Sequence, residues 1–173
     1  AKQSFRSAIE AAKKRIDFKA DFLSAVRELS ELMMSRSDFD GALALNLEMT
    51  AVSQFDKAEF LSRAGDCLRA VGALDGAADY YRQSINESPR YVRGRVALGR
   101  ALYELGHDEQ ARIVMGQLPN FVVPGTTPPA DLVEGHLVTG LLALRVADFK
   151  AARASFDAAA KLDASSAEAK SAL

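Results

Sequence analysis

Few side chains in this sequence could carry out chemistry. It has two histidines, His107 and His136, and a single cysteine, Cys67. His107 follows Gly106 in a predicted turn, which favours a solvated role, and His136 falls at a predicted packing position. Cys67 lies inside a predicted helix, where a semi-buried thiol explains it better than a nucleophile does. No Ser/His/Asp or Cys/His set, carboxylate pair or phosphate-binding glycine loop is recognisable. We therefore predict no catalytic, cofactor-binding or metal-binding residue, and a protein that is not an enzyme.

Arginines form the densest cluster of charge. Four of them occur in eleven residues without an acid among them: Arg90, Arg93, Arg95 and Arg100. Such a cluster could bind an anion. However, Arg93 and Arg100 share one helical face, and their counterparts one repeat period earlier are Glu59 and Asp66. Neighbouring helices would then present opposite charges, so we favour mutual pairing over an anion site. Each exposed pair would contribute roughly 0–1 kcal/mol.

The positions that must organise these side chains recur with a fixed 34-residue period. The first set is Leu61, Ala64, Gly65, Leu68, Gly72 and Ala77, and the second is Arg95, Leu98, Gly99, Leu102, Gly106 and Ala111. Only the pair Leu61 and Arg95 differs in character. A fixed period of this length, built from small and apolar residues, is typical of a helical repeat array.

This spacing resembles the tetratricopeptide repeat, in which an aromatic or apolar residue is followed by Leu-Gly, an apolar residue, Gly, Ala, an aromatic residue and Pro. Residues 57–90 carry nearly the whole pattern, down to Tyr81 and Pro89. The resemblance extends over about residues 23 to 164. It implies an all-α fold, a right-handed superhelical array of antiparallel helix pairs (an α-solenoid), whose first helices line a concave face that binds a peptide or a helix.

We predict one domain over residues 1–173, divided by the repeat. Its parts are an N-terminal helix at 1–20, a degenerate unit at 21–56, units at 57–90 and 91–118, a loop insertion at 119–129, a fourth unit at 130–164 and the start of a further helix at 165–173. The loop is predicted because the separation of Ala111 and Ala152 exceeds the repeat period, and the surplus falls in a proline-rich stretch. Ser4–Ile16 fits either the second helix of a preceding, truncated unit or a capping helix.

The resemblance also suggests which residues line the concave groove. In this interpretation, the polarity of the groove is set by Arg63, Arg69, Arg93, Arg100 and Tyr103. An apolar anchor is supplied by Leu137, Leu141 and Leu144.

The predicted helix Leu132–Val146 is apolar on nearly every side, which is expected only if it is covered on more than one side. Four candidates could cover it. They are the loop Phe121-Val122-Val123 folding back, a following helix from about Ser165, a second copy of the chain, and a helix of a partner protein. Coverage by the chain itself is favoured, and the remaining options would make this surface an interaction site.

Composition limits the partners. The formal net charge of −1 argues against nonspecific binding to nucleic acid or to an anionic membrane, and we predict neither. No segment is predicted to insert into a membrane. The single cysteine weakly favours a cytoplasmic location. Because the chain begins without Met, we expect it to be a piece of a longer protein.

These observations predict a protein–protein interaction scaffold or adaptor that binds a peptide or helix of a partner in its concave groove. Two alternatives stay open. The first is a self-assembly module that forms a homodimer through its apolar fourth unit. The second is a regulatory or substrate-recruiting arm of a larger enzyme.

Overall fold

The computed structural model describes the backbone of residues 19–171 and the side chains of residues 21–164. The predicted N-terminal helix Ser4–Ile16 lies outside the described residues. Within the described part there are eight α-helices and no strand: α1 (Lys19–Ser35), α2 (Phe39–Val52), α3 (Lys57–Ala70), α4 (Leu74–Glu87), α5 (Val92–Glu104), α6 (Asp108–Gln117), α7 (Pro129–Arg145) and α8 (Phe149–Ser171). A short 3-10 helix, Leu118–Asn120, follows α6.

Consecutive helices form four helix pairs, α1–α2, α3–α4, α5–α6 and α7–α8, which we call units one to four. Within units two, three and four, a glycine on the first helix lies against a large side chain of the second. A Cβ atom at Gly65 would be 2.6 Å from the Tyr81 ring, and one at Gly140 would be 2.5 Å from the Phe156 ring. Glycine is needed there because it alone lets the two helices pack this closely. The predicted all-α array of helix pairs is confirmed.

Each unit turns from its first to its second helix through one residue in the left-handed backbone region. In units two and three this residue is Gly72 or Gly106, with φ of 80° and 79°. The equivalent residues of units one and four are Ser37 and Ala147, with φ of 59° and 57°. Glycine adopts this conformation without the steric penalty of a Cβ atom. The turn is thus common to all four units, although only two use the residue best suited to it.

Buried side chains that form the core are contributed by all four units. The core's largest fully buried side chains include Tyr81 of α4, Phe60 of α3 and Met49 of α2. A buried polar group is also satisfied between helices, since the Ser84 hydroxyl donates to the carbonyl oxygen of Ala58 at 2.6 Å. The buried apolar side chains form two clusters, one in α1 to α3 and one in α4 to α7.

Two helix boundaries differ from those predicted. The first helix of the fourth unit, α7, begins at Pro129 instead of Leu132, because a proline is favourable in the first turn of a helix. The predicted start of a further helix at 165 is wrong. One uninterrupted helix, α8, runs from Phe149 to Ser171. No glycine or proline occurs in that span to end it, so the boundary at 165 has no local cause.

Candidate functional site

Ion pairs connect the first helices of successive units, and we call this set the charge ladder. Between α1 and α3, the Arg27 guanidinium donates two hydrogen bonds of 2.8 Å to the Glu59 carboxylate. A third bond, of 3.1 Å, goes to Asp56. Arg63 donates back across the same junction to Glu31 at 3.2 Å. Each of the two helices thus contributes an arginine that donates to an acid of the other helix.

Glu59 is at the centre of this junction. Its carboxylate accepts from Arg27 and also from Arg63, at 3.0 Å. Burial alone would raise the pKa of the Glu59 carboxyl, but the two guanidinium groups outweigh it and hold that pKa below its usual value. Arg63 is itself buried. These charges are therefore paired with one another within the array.

The ladder continues from α3 to α5. Arg93 of α5 donates to Asp66 of α3 at 2.9 Å, and Arg69 of α3 donates to Glu104 of α5 at 3.2 Å. Burial opposes the charge on Arg93, yet the neighbouring Asp66 raises the pKa of its guanidinium. Mutual pairing, favoured from the sequence, is therefore present. The partner of Arg93 is Asp66, which lies further along α3 than Glu59, the residue equivalent to Arg93 in the repeat.

The last junction of the charge ladder joins α5 to α7. Arg100 donates to Glu104 on its own helix at 3.0 Å and to Glu134 of α7. The Arg145 guanidinium at the end of α7 lies 4.1 Å from the centre of the Tyr103 ring and donates to Asp108 at 2.9 Å. All five polar residues predicted to line the groove thus lie at junctions between units. Their role in binding a partner stays a prediction.

Arg95 has a different role from the other clustered arginines. It is buried and donates two hydrogen bonds, of 3.0 and 2.8 Å, to the carbonyl oxygen of Pro89. Its guanidinium also lies 3.6 Å from the centre of the Phe121 ring, in the inserted segment. Arg95 therefore connects the inserted segment to α5. Because its guanidinium is buried and already bonded, it is not available to an external anion.

A cleft of about 490 Å³ opens where the inserted segment meets α3 and α5. The residues that line this groove cleft include Glu59, Tyr91, Arg93, Thr127 and Asp131. Arg90 also lines it, is exposed, and makes no ion pair with any described residue. The groove cleft therefore lies beside the charge ladder and offers a cation that the described part of the chain does not use.

Two half-buried residues, Tyr91 and Asp131, contribute polar groups to the groove cleft. Burial raises the pKa of the Tyr91 phenol, so its hydroxyl stays protonated. Burial also raises the pKa of the Asp131 carboxyl, although Arg93 partly opposes this shift. The Asp131 carboxylate makes no hydrogen bond or ion pair with another described residue. An incoming positive charge would thus find an incompletely compensated carboxylate.

The residues first considered for chemistry show no catalytic arrangement. Burial raises the pKa of the Cys67 thiol to about 11, so it is a buried thiol with little thiolate character. His107 occupies the N-cap position of α6. Among the residues with described positions, no three His, Cys, Asp or Glu side chains are grouped so as to hold a metal ion. The described helices also include none with the length and apolar character to cross a membrane.

His136 lines a second, larger cleft of about 1000 Å³, between α6, the inserted segment, α7 and α8. Its walls are mainly apolar. Its charged residues are already engaged, since Arg112 donates to Glu109 at 2.6 Å and Asp148 accepts from the backbone of Ala151 at 3.0 Å. It therefore lacks the unused charges that distinguish the groove cleft.

The predicted apolar anchor lies on the open side of α7. Leu137 and Leu141 are half-buried and Leu144 is 43% exposed. The inserted loop does not cover this side, because Phe121 packs on Arg95 and Val122 lies in the wall of the second cleft. Coverage by a separate helix beginning near Ser165 is excluded by the continuous α8. Among the described residues, nothing covers Leu144 fully.

Sequence reasoning missed the roles of Arg95, Phe121, Tyr91 and Asp131. One feature of the sequence could have revealed the role of Arg95. Arg95 is the single residue that breaks the apolar pattern of the 34-residue repeat, at the position where unit two has Leu61. A charged residue at a core position needs a specific partner, which the inserted segment supplies. Nothing comparable in the sequence pointed to Tyr91 or Asp131.

The geometry defines an α-solenoid built from helix pairs, and comparison with known proteins shows which repeat it resembles. A family described as "Tetratricopeptide repeat" matches residues 68–122. This match lies in units two and three, where the sequence follows the tetratricopeptide-repeat pattern. The chain is also 24% identical over 84 residues to General transcription factor 3C polypeptide 3 of Homo sapiens. That match includes 49% of this chain but 10% of the relative, so the chain spans about a tenth of its length.

Solved structures agree on the fold. The crystal structure of MamA superposes with a TM-score of 0.63 at 19% identity, over 96% of this chain and 93% of that one. BtubC (BKLC) from P. vanneervenii gives a TM-score of 0.54 at 15% identity, over 95% and 88%. At these identities the likeness concerns the fold alone. The fold is that of protein–protein interaction scaffolds, which are typically not catalytic.

Proposed function

We propose that this chain is a scaffold or adaptor that binds an extended peptide segment or a helix of another protein along its concave groove, with the groove cleft as the principal contact. The observation that carries the proposal is the pair of unused charges in that cleft. Arg90 has no ion-pair partner among the described residues, and the half-buried Asp131 has none either. The arginines of the neighbouring charge ladder, in contrast, are paired with acids of the chain.

The chemistry of the cleft indicates what kind of segment it would bind. An acidic side chain would meet Arg90 at the rim, and a basic side chain would meet Asp131 inside. The Tyr91 hydroxyl and the Thr127 hydroxyl can hydrogen-bond to a peptide backbone between them. A segment carrying one acid and one base would therefore be preferred over one that carries a single sign of charge.

Charge reversal at Arg90 tests this proposal. A partner is first isolated by affinity purification and mass spectrometry, and its bound segment is then titrated by calorimetry. Arg90→Glu should weaken binding by roughly tenfold or more, since attraction becomes repulsion at the contact. Arg90 suits the test better than Arg93 does, because its replacement breaks no ion pair within the described chain.

Arg82→Glu is the matched control. Arg82 is an exposed arginine on α4, and among the described residues its ion-pair partner is Asp79, one turn before it at 2.9 Å. The proposal expects its replacement to leave the affinity unchanged. Equal affinities for wild type, Arg90→Glu and Asp131→Asn would refute the groove cleft as the binding site.

A further inference from the structure

The second cleft, which His136 lines, runs along two neighbouring helices. On α7 its lining includes residues that recur at intervals of four and three, namely Leu132, His136, Thr139, Ala143 and Val146. Residues with this spacing form one stripe along a helix, here about 21 Å long. On α8 the residues that line the cleft are seven apart and form a second stripe, made of Asp148, Ser155 and Leu162. The cleft is therefore straight and elongated.

The stripe of α7 is less covered than its equivalent in α5. The residues of α5 equivalent to Thr139 and Ala143 are Leu98 and Leu102. These leucines are 5% and 1% exposed and share a buried cluster with Tyr81 of α4. In α7, by contrast, Thr139 is exposed and Ala143 is half-buried. The preceding second helix is also shorter here, because α6 has 10 residues where α4 has 14.

A following repeat unit would not cover the second cleft. The helix α4 meets the next first helix through Ser84 and Ile85, which lie 2.9 and 3.6 Å from a Cβ atom placed on Gly94. The equivalent residues of α8 are Ala159 and Ala160, and neither lines the cleft. The three leucines of the predicted apolar anchor do not line it either. The cleft lies on the side of unit four that faces unit three.

We propose that the second cleft binds an amphipathic α-helix of a partner protein, about four turns long, whose aliphatic side chains enter between the stripes of α7 and α8. The spacing of the lining residues selects a helix. Two straight stripes match the row of side chains that recurs every three to four residues along one face of a helix. The equivalent stripe of α5 is covered in this way by α4.

His136 gives this contact a polar position. Its imidazole is half-buried and makes no hydrogen bond or ion pair with another described residue. An occupant that is apolar throughout, such as an acyl chain, would bury the imidazole without a partner, which is unfavourable. A helix can instead place one amide or carboxylate side chain opposite His136 and aliphatic side chains elsewhere. The partner helix is therefore apolar along its stripe except at that position.

A second copy of the chain does not fill the second cleft by symmetry. A two-fold contact joins a surface to itself, so a concave cleft would face another concave cleft. The partner helix also goes beyond the proposed function and does not depend on it, since no residue lines both the second cleft and the groove cleft.

A helix-stabilised synthetic peptide of about 15 residues tests the proposal. It carries a stripe of leucines on one face and lysine and glutamate elsewhere, and fluorescence anisotropy measures its binding to the full chain. It should bind at micromolar concentration, and a scrambled peptide of the same composition should bind at least roughly tenfold more weakly. Thr139→Glu and Val146→Glu, at exposed positions of the cleft, should each weaken binding roughly tenfold or more.

Ile113→Glu is the matched control. Ile113 is 53% exposed on α6 and does not line the second cleft, so its replacement should leave binding unchanged. Circular dichroism confirms that each variant is folded. Equal binding of the two peptides, or equal binding by wild type and Thr139→Glu, would overturn the proposal. Tighter binding of decanoate than of the peptide, or a wild-type dimer that Thr139→Glu dissociates in sedimentation, would assign the cleft to another occupant and overturn it too.

A second peptide series tests the part played by His136. Glutamine replaces each leucine of the stripe in turn. At one position the wild type should prefer glutamine to leucine by roughly threefold or more, and His136→Leu should reverse this preference. If no position shows that reversal, the imidazole selects no polar side chain, and the chemistry given to the partner helix is wrong.

Discussion

Gly65 lies directly against the ring of Tyr81, so close that a Cβ atom at position 65 would be 2.6 Å from Cε1 of that ring. The ring cannot move aside, because Tyr81 is fully buried and its hydroxyl donates to Asp66 at 2.8 Å. In the next unit, Gly99 has the same relation to Met115, whose side chain is flexible. Equivalent positions of the repeat therefore differ in how they tolerate a side chain.

The first prediction compares these two glycines. Gly65→Ala should lower the free energy of unfolding by about 1–3 kcal/mol through overpacking. Gly99→Ala should change it by less than about 1 kcal/mol, because Met115 can adopt another rotamer and alanine favours the helix. Urea unfolding followed by circular dichroism measures both. Equal losses would show that the ring of Tyr81 is not the rigid element we describe.

The second prediction concerns the left-handed turn of unit four. Ala147 has a φ of 57°, where glycine occurs in units two and three. Ala147→Gly should raise the free energy of unfolding by about 0.5–1 kcal/mol, because the strain of the Cβ atom is removed. The reverse change, Gly106→Ala, should lower it by a similar amount. Thermal unfolding of both variants checks the pair, and a loss of stability in Ala147→Gly would contradict the argument.

The third prediction uses pH. Burial opposes ionisation of Glu59, but the guanidinium groups of Arg27 and Arg63 outweigh it and lower the pKa of the carboxyl from its ordinary value of 4.5. The ionised carboxylate therefore stabilises the folded chain above that value, and this contribution is lost as the pH falls through the lowered pKa. Glu59→Gln should lower the free energy of unfolding by about 1–2 kcal/mol at neutral pH.

The difference between wild type and Glu59→Gln should shrink as the solution is acidified, because wild-type Glu59 is then protonated as well. Denaturant unfolding at a series of pH values measures this. Glu109→Gln is the control. Glu109 is exposed and paired with Arg112 on the same helix, so the change should have a small effect at every pH. A difference that stays constant down to strongly acidic pH would be inconsistent with the role given to Glu59.

The repeat carried most of the information about the fold. Small residues such as Gly65 and Ala77 recur because two helices must approach closely, so their spacing predicts the helix pairs directly. The opposed charges at Arg93 and Asp66 were also predictable as pairs. Their register was not, because long side chains reach diagonally between helices, and a 34-residue period does not specify which turn each one reaches.

The groove cleft could not be predicted, because it depends on a segment without a repeat. Residues 119–129 have no counterpart in the other units, and their placement is decided by tertiary contacts such as that between Phe121 and Arg95. Likewise, the pattern identified the apolar character of Leu137, Leu141 and Leu144. Whether these leucines line a groove or an open edge depends on the elements packed beside α7, and the repeat period could not indicate that.

The last prediction tests the contact that positions the inserted segment. Arg95 donates two hydrogen bonds to the Pro89 carbonyl and stacks on Phe121 at 3.6 Å. Lysine keeps the charge but lacks the planar group that does both, so Arg95→Lys should lower the free energy of unfolding by about 1–2 kcal/mol. Backbone amides of residues 121–128 should also exchange with deuterium faster.

Phe121→Ala should produce the same acceleration of exchange, and the two changes combined should cost less than the sum of their separate effects, by about 0.5–1 kcal/mol, since both remove one shared contact. Arg90→Lys is the matched control, because Arg90 lines the same cleft but is exposed and unpaired among the described residues. It should alter neither stability nor exchange. If Arg95→Lys leaves exchange at 121–128 unchanged, the segment is positioned by other contacts, and the shape of the groove cleft does not depend on Arg95.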